Sequence, residues 1–133
     1  MDCNELLYDI FQLEYKLFMK MDSYHLIEQK CSYHKKCFNP DERQQLRSDI
    51  HFVFTRLIKT IKAACPSLTN DDVIFCCLAK SGFDNLTVGR CMGSVGRQSV
   101  NQRKYRIKKK MREAKCDSLF KMIFICAVNS LQI

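Results

Sequence analysis

Residues 97–115 read RQSVNQRKYRIKKKMREAK, nine Lys and Arg with a single acid, and they carry a net charge of +8. That equals the net charge of the whole 133-residue chain, because the 13 basic and 13 acidic side chains elsewhere cancel. A neutral body with one cationic segment is what a polyanion-binding surface looks like in sequence. The segment is patterned as well as charged. Val100, Ile107 and Met111 stand seven and four residues apart, which places them within ~20° of one line on a helix of about 100° per residue. A helix over residues 97–114 can therefore dock on a core along that seam and present a cationic back. A disordered basic tail needs no such seam.

The rest of the chain supplies a core for the helix to dock on. Apolar residues make up 47% of the sequence, charged residues 27%, and there are only four Gly and two Pro with little strand-like alternation. An all-α protein follows, either one domain or a small domain with a helical extension. No signal peptide is visible at the start, where Asp2, Glu5 and Asp9 interrupt the apolar residues. The longest apolar run, MIFICAV at residues 122–128, is far below the ~18 residues that span a bilayer. The expected location is the cytoplasm, with no membrane contact from this segment.

Nine cysteines, an odd number, with enough apolar material for a core, argue against a disulfide framework and for thiols that pack as small hydrophobes. His25, Cys31, His34 and Cys37 invite a zinc reading, but their spacing lacks the paired close ligands of a structural site, and one helix wraps poorly around a tetrahedral ion. No CxxC, P-loop or glycine-rich nucleotide fingerprint is present. No nucleophile, base and orienting acid converge, and His51 has no obvious carboxylate partner. The sequence thus predicts neither enzyme activity nor a metal or other cofactor.

Helical periodicity runs through the chain. Leu6, Leu7, Ile10, Phe11, Leu17, Phe18 and Met21 mark an amphipathic first helix, and residues 22–38 read as a shorter helix followed by a loop. Asn39, Pro40, Asp41 and Glu42 form a helix start. Leu46, Ile50, Val53, Phe54, Leu57, Ile58 and Ile61 continue as one stripe, predicting a linking helix of roughly 24 residues that Cys65-Pro66 stops. Thr69 with Asp72 suggests a capping box, Val73, Ile74, Cys76, Cys77 and Leu78 the buried side of a helix, and Gly82 its left-handed end. A short helix at 85–92, a turn at 93–96, the basic helix, and a last helix at 117–131 complete the reading. Asp117 is its expected cap, and Leu119, Phe120, Ile123, Phe124 and Ala127 its buried contacts. Phe52, Phe54, Phe120 and Phe124 are expected to be core or dimer aromatics.

Helix, glycine, short helix, glycine-containing turn and basic helix are the order of a helix-turn-helix. Residues 68–111, LTNDDVIFCCLAKSGFDNLTVGRCMGSVGRQSVNQRKYRIKKKM, resemble the four-helix DNA-binding domain of the LuxR type and region 4 of bacterial sigma factors. The resemblance rests on Leu68-Thr69 before an acidic first turn, Gly82, then Arg97, Ser99 and Val100, and Arg106-Ile107 followed by Lys109, Lys110 and Met111. More narrowly, the chain is similar to the C-terminal portion of Bacteroidetes tetratricopeptide-repeat transcriptional regulators, in which a long helix leads through a Pro-x-Leu-Thr link, here Pro66-Ser67-Leu68-Thr69. The chain departs from the LuxR pattern at Gly89 and Arg90, where an alanine and a polar residue are usual, and at Gly96, where a serine cap is usual. The resemblance implies residues 65–133 as a DNA-binding domain, residues 1–64 as a dimerisation or sensor-docking extension, and RNA polymerase or a sensor domain as further contacts.

With Val100 turned inward, Gln98, Gln102, Tyr105 and Lys109 face outward, with Asn101 and Arg112 beside them. Gln98, Asn101, Gln102, Tyr105 and Lys109 are the expected base contacts, since amides pair with adenine and cations with guanine in the major groove. Tyr105 suits a base and a core contact equally. Arg97, Arg106, Lys108 and Arg112 are placed for phosphates, and Arg103 and Lys104 for the rim of the core. Double-stranded DNA is the expected partner and a homodimer the expected assembly, because one small reader of this type rarely buries enough surface for specific binding. The alternative is a helical adaptor whose basic helix meets an acidic protein.

Overall fold

The computed structural model describes residues 3–94 and 96–125, with side chains from Tyr8 onward, and no strand occurs among them. In order they form α1 (Cys3–Met19), α2 (Asp22–Leu26), a π-helical stretch (Ile27–Tyr33), α3 (Pro40–Val53), α4 (Thr55–Ala64), α5 (Asn70–Lys80), α6 (Asn85–Cys91), α7 (Arg97–Glu113) and α8 (Asp117–Phe124). No helix of the described residues is long and apolar enough to cross a membrane. Leu6, Leu7, Val95, Ala127 and the predicted continuation of the last helix to residue 131 lie outside the described residues or side chains.

α5 is the hub. Its apolar residues are consecutive, VIFCCLA, so the helix is greasy all round and is buried on every side from Asp72 to Lys80, not on one side as its periodicity suggested. α3, α4, α6 and α8 pack around it. The polar groups carried into this core have partners. Lys80 Nζ donates to the Met122 carbonyl at 3.0 Å and lies 5.1 Å from the centre of the Phe11 ring. Ser81 donates to the Cys77 carbonyl at 2.8 Å. Both arms of the Thr69–Asp72 capping box are made, at 3.1 Å each, and Gly82 takes φ 93° just beyond the helix.

The linking helix predicted as one rod is two. At Phe54 the backbone leaves the helical region (φ −91°, ψ 40°), and α4 restarts at once. The cause comes from another element. Buried Glu14 of α1 accepts from the backbone N–H of Arg56 at 3.0 Å and of Leu57 at 3.1 Å, and from the Thr55 hydroxyl at 3.4 Å. It thus caps α4 from outside, satisfying N–H groups that the break leaves open. Phe54 turns into the core, 6.0 Å from Phe11 and 5.3 Å from Phe18 by ring centres. The stripe itself stands: Leu46, Ile50, Val53, Phe54, Leu57, Ile58 and Ile61 are all buried. Phe52 is 78% exposed and is not a core aromatic.

On α1 the predicted Phe11 and Phe18 are buried, but the predicted Leu17 is exposed. Phe11, Glu14, Tyr15 and Phe18, at helical steps, point inward, whereas Leu13 and Leu17 are exposed. Large rings bury more apolar area than leucines, and Glu14 must face inward to reach α4. At the other end of the chain Asp117 is the first residue of α8 and Cys116 precedes it without a side-chain cap, so Asp117 does not serve as the cap.

Residues 22–38 hold more regular structure than a short helix and loop. The π-helical stretch widens the turn, with His34 N–H donating to Gln29 at 2.9 Å, and buries Ile27 and Cys31. Two residues beyond its end at Tyr33, Lys35 takes the left-handed region at φ 56°. The stretch is fixed to α6: Arg90 Nη1 donates to the Cys31 carbonyl at 3.0 Å, and the Phe38 N–H donates to the Arg90 carbonyl at 3.0 Å. Cys31 of the stretch and Cys91 of α6 are both buried in the core.

Candidate nucleic-acid interface

α6 begins where the Asp84 carboxylate accepts from the Thr87 N–H at 2.7 Å, and it buries Val88, Gly89 and Cys91. Gly89 is where α7 crosses. A Cβ at that position would sit 2.6 Å from Val100 Cγ2, so the absent side chain sets how closely the two helices approach. Between the helices, Gly93 (φ 79°) and Gly96 (φ 128°) occupy backbone conformations that a serine or alanine would adopt only under strain. Gly93 rests on Arg43 of α3, whose Nη1 donates to the Phe38 carbonyl at 2.9 Å. Gly89, Gly96 and Arg90 thus each have a local cause: close packing at Gly89, backbone conformation at Gly96, and at Arg90 a tie to the π-helical stretch.

α7 divides by face. Val100, Ile107 and Met111 are buried, at 2%, 0% and 0% exposure, so the seam lies where its spacing predicted. At the rim, Arg103 pairs with Asp72 at 3.0 Å, and Lys110 with the same carboxylate at 3.3 Å and with the Ser67 carbonyl at 3.1 Å. Although burial acts against it, Thr69 and Lys110 hold the Asp72 carboxyl below the usual aspartate value. Lys104 Nζ sits 5.3 Å from the centre of the Phe124 ring and Lys108 Nζ 5.6 Å from that of Phe120.

The outward face carries every predicted contact. Gln98, Asn101, Gln102, Tyr105 and Lys109 are exposed, as are Arg97, Arg106, Lys108 and Arg112. Tyr105, at 68% exposure, stands clear of the core. Arg97, Gln98, Asn101, Gln102, Tyr105 and Arg106 line one open depression of about 700 Å³. Lys109 and Arg112 lie further along the helix, and Lys108 leans toward the Phe120 ring. Absent from the sequence reading were Ser32 and Lys35, which share a second groove with Arg97 and Asn101. No local motif marks them, because they reach α7 only through the packing of the π-helical stretch on α6.

His25, Cys31, His34 and Cys37 are not drawn together. Cys31 is buried against Cys91, His25 sits exposed beside Glu28 at 3.8 Å, and Cys37 points its thiol at the Ser94 carbonyl. Among the described residues no three His, Cys, Asp or Glu are grouped to hold a metal ion. His51 meets the Asn70 side chain at 2.8 Å. Burial pushes the thiols of Cys76 and Cys77 well up, away from the thiolate that nucleophilic chemistry needs. Comparison of the chain with protein families, with curated proteins and with solved structures yields no match.

Proposed function

We propose that the chain is a sequence-specific DNA-binding transcription regulator, or the output portion of one, and that α7 enters the major groove. One observation carries this reading: α7 is anchored by a buried apolar seam while its opposite face offers cations, amides and a tyrosine to the surroundings. Amide and cationic side chains on one helix face match the donor and acceptor edges of the major groove, and the flanking arginines and lysines suit phosphates. In this reading α5 to α8 are the four helices of a LuxR-like domain, and a homodimer supplies the second half-site.

Arg103 and Lys110 are engaged with Asp72, which leaves Arg97, Arg106, Lys108, Lys109 and Arg112 facing outward. Four phosphate contacts, from Arg97, Arg106, Lys108 and Arg112, correspond to a log–log salt slope of roughly −3 to −4. Fluorescence anisotropy on a DNA duplex, titrated over a salt series, measures it directly. Replacing Arg97, Arg106 and Lys109 together by Ala is expected to abolish binding with the helical circular dichroism intact. Undiminished binding would remove α7 from the interface. Retention on an acidic protein bait with no affinity for duplex would instead favour a helical adaptor. Selection from randomised duplex then reads the operator and half-site spacing.

A further inference from the structure

We infer that Lys35 and Ser32, at the C-terminal end of the π-helical stretch, form a second contact to the sugar–phosphate backbone of duplex DNA. The inference rests on the reading of α7 as the groove-entering helix and extends the interface beyond the helix-turn-helix. Ser32 and Lys35 line a groove of about 380 Å³ together with Arg97 and Asn101, which stand on the first two turns of α7. Arg90 and Asp84 line the same groove. The Asp84 carboxylate is occupied in capping α6. Neither Lys35 nor Arg97 forms an ion pair among the described residues. Three cations against one engaged acid make the groove a place for an anion.

Its position selects the anion. A helix lying in the major groove has a phosphate strand along each flank, and contacts to those strands fix register. The groove opens beside the N-terminal turns of α7, where one strand passes if Gln98 and Asn101 address bases. The backbone beside Lys35 is also held in place, the Lys36 N–H donating to the Lys30 carbonyl at 2.9 Å. Arg90 ties the π-helical stretch to α6 through the Cys31 carbonyl, and Cys31 packs buried beside Cys91. A hydroxyl and an ammonium on this fixed platform offer donors to phosphate oxygens at little cost in ordering the chain.

The test uses the full chain and a mixed-sequence DNA duplex, with affinity measured over a potassium chloride series. Losing one phosphate contact removes about 0.9 from the slope, which near 0.1 M salt is roughly an eight-fold loss of affinity. Lys35→Gln is expected to show both effects, and Lys35→Arg to keep wild-type binding. Lys62→Gln, an equal loss of charge at an exposed position of α4, is expected to show neither effect. A Lys35→Gln protein with wild-type affinity and slope, or one that loses affinity without a change in slope, overturns the inference while leaving α7 as the reader. A wild-type protein that fails to bind duplex overturns both.

Discussion

Asp72 does three things at once. It closes the capping box of α5, pairs with Arg103 and Lys110 of α7, and sits at 1% exposure where an unmatched charge is costly. Asp72→Asn is expected to cost roughly 2–4 kcal/mol at neutral pH. Because the folded carboxyl titrates below its unfolded value, its stabilisation is complete above the unfolded pKa and fades as pH falls through the folded one. Urea melts should therefore show the gap between wild type and variant closing below about pH 4, and a gap that stays constant down to strong acid would mean that Asp72 is not an ionised partner. Gly89 makes a second single-residue prediction. Alanine there gains about 1 kcal/mol in helix propensity, but its methyl meets Val100 Cγ2 at 2.6 Å, and valine has little freedom to yield. Overpacking should win, with Gly89→Ala less stable by about 1–2 kcal/mol net; a variant that melts above wild type would show that the two helices have room to separate.

The elements were legible in proportion to how local their causes are. Asn39-Pro40 and Thr69 with Asp72 announce helix starts from within a few residues, and the structure has those starts. The seam of α7 was legible because three apolar residues in a basic helix leave one way to dock it. The break at Phe54 was not, because its cause sits 40 residues away in sequence: the Glu14 carboxylate, which no periodicity in residues 40–64 reveals. For the same reason the sequence alone puts Leu17 on the buried face of α1, which Glu14 and the rings occupy. Glu14→Ala tests this account. Two N–H groups at the start of α4 would lose their acceptor, and denaturation should reveal a loss of about 2–3 kcal/mol. A loss below about 0.5 kcal/mol would mean that water caps α4 equally well. The outward face of α7 was readable from its own wheel, whereas Lys35 and Ser32 needed the packing of a distant stretch.

Across the molecule, buried side chains form one cluster from Phe11 to Ile123, with α1 against α4, α3 and α4 against α5, and the π-helical stretch against α6. Such continuity predicts a single cooperative unfolding transition, in which the change in tyrosine fluorescence as the packed Tyr15 and Tyr24 become exposed coincides with the loss of helical circular dichroism. Two separated transitions would instead mark a boundary near residue 65. The chain's uncompensated charge is gathered in residues 97–115, on α7 and the two residues after it. Gathered on one outward helix face, that charge makes the molecule a swinging needle in any field: a distant polyanion exerts a torque on it before touching it. Encounters would begin with α7 already leading, and productive collisions would form a larger share of all collisions than blind tumbling allows.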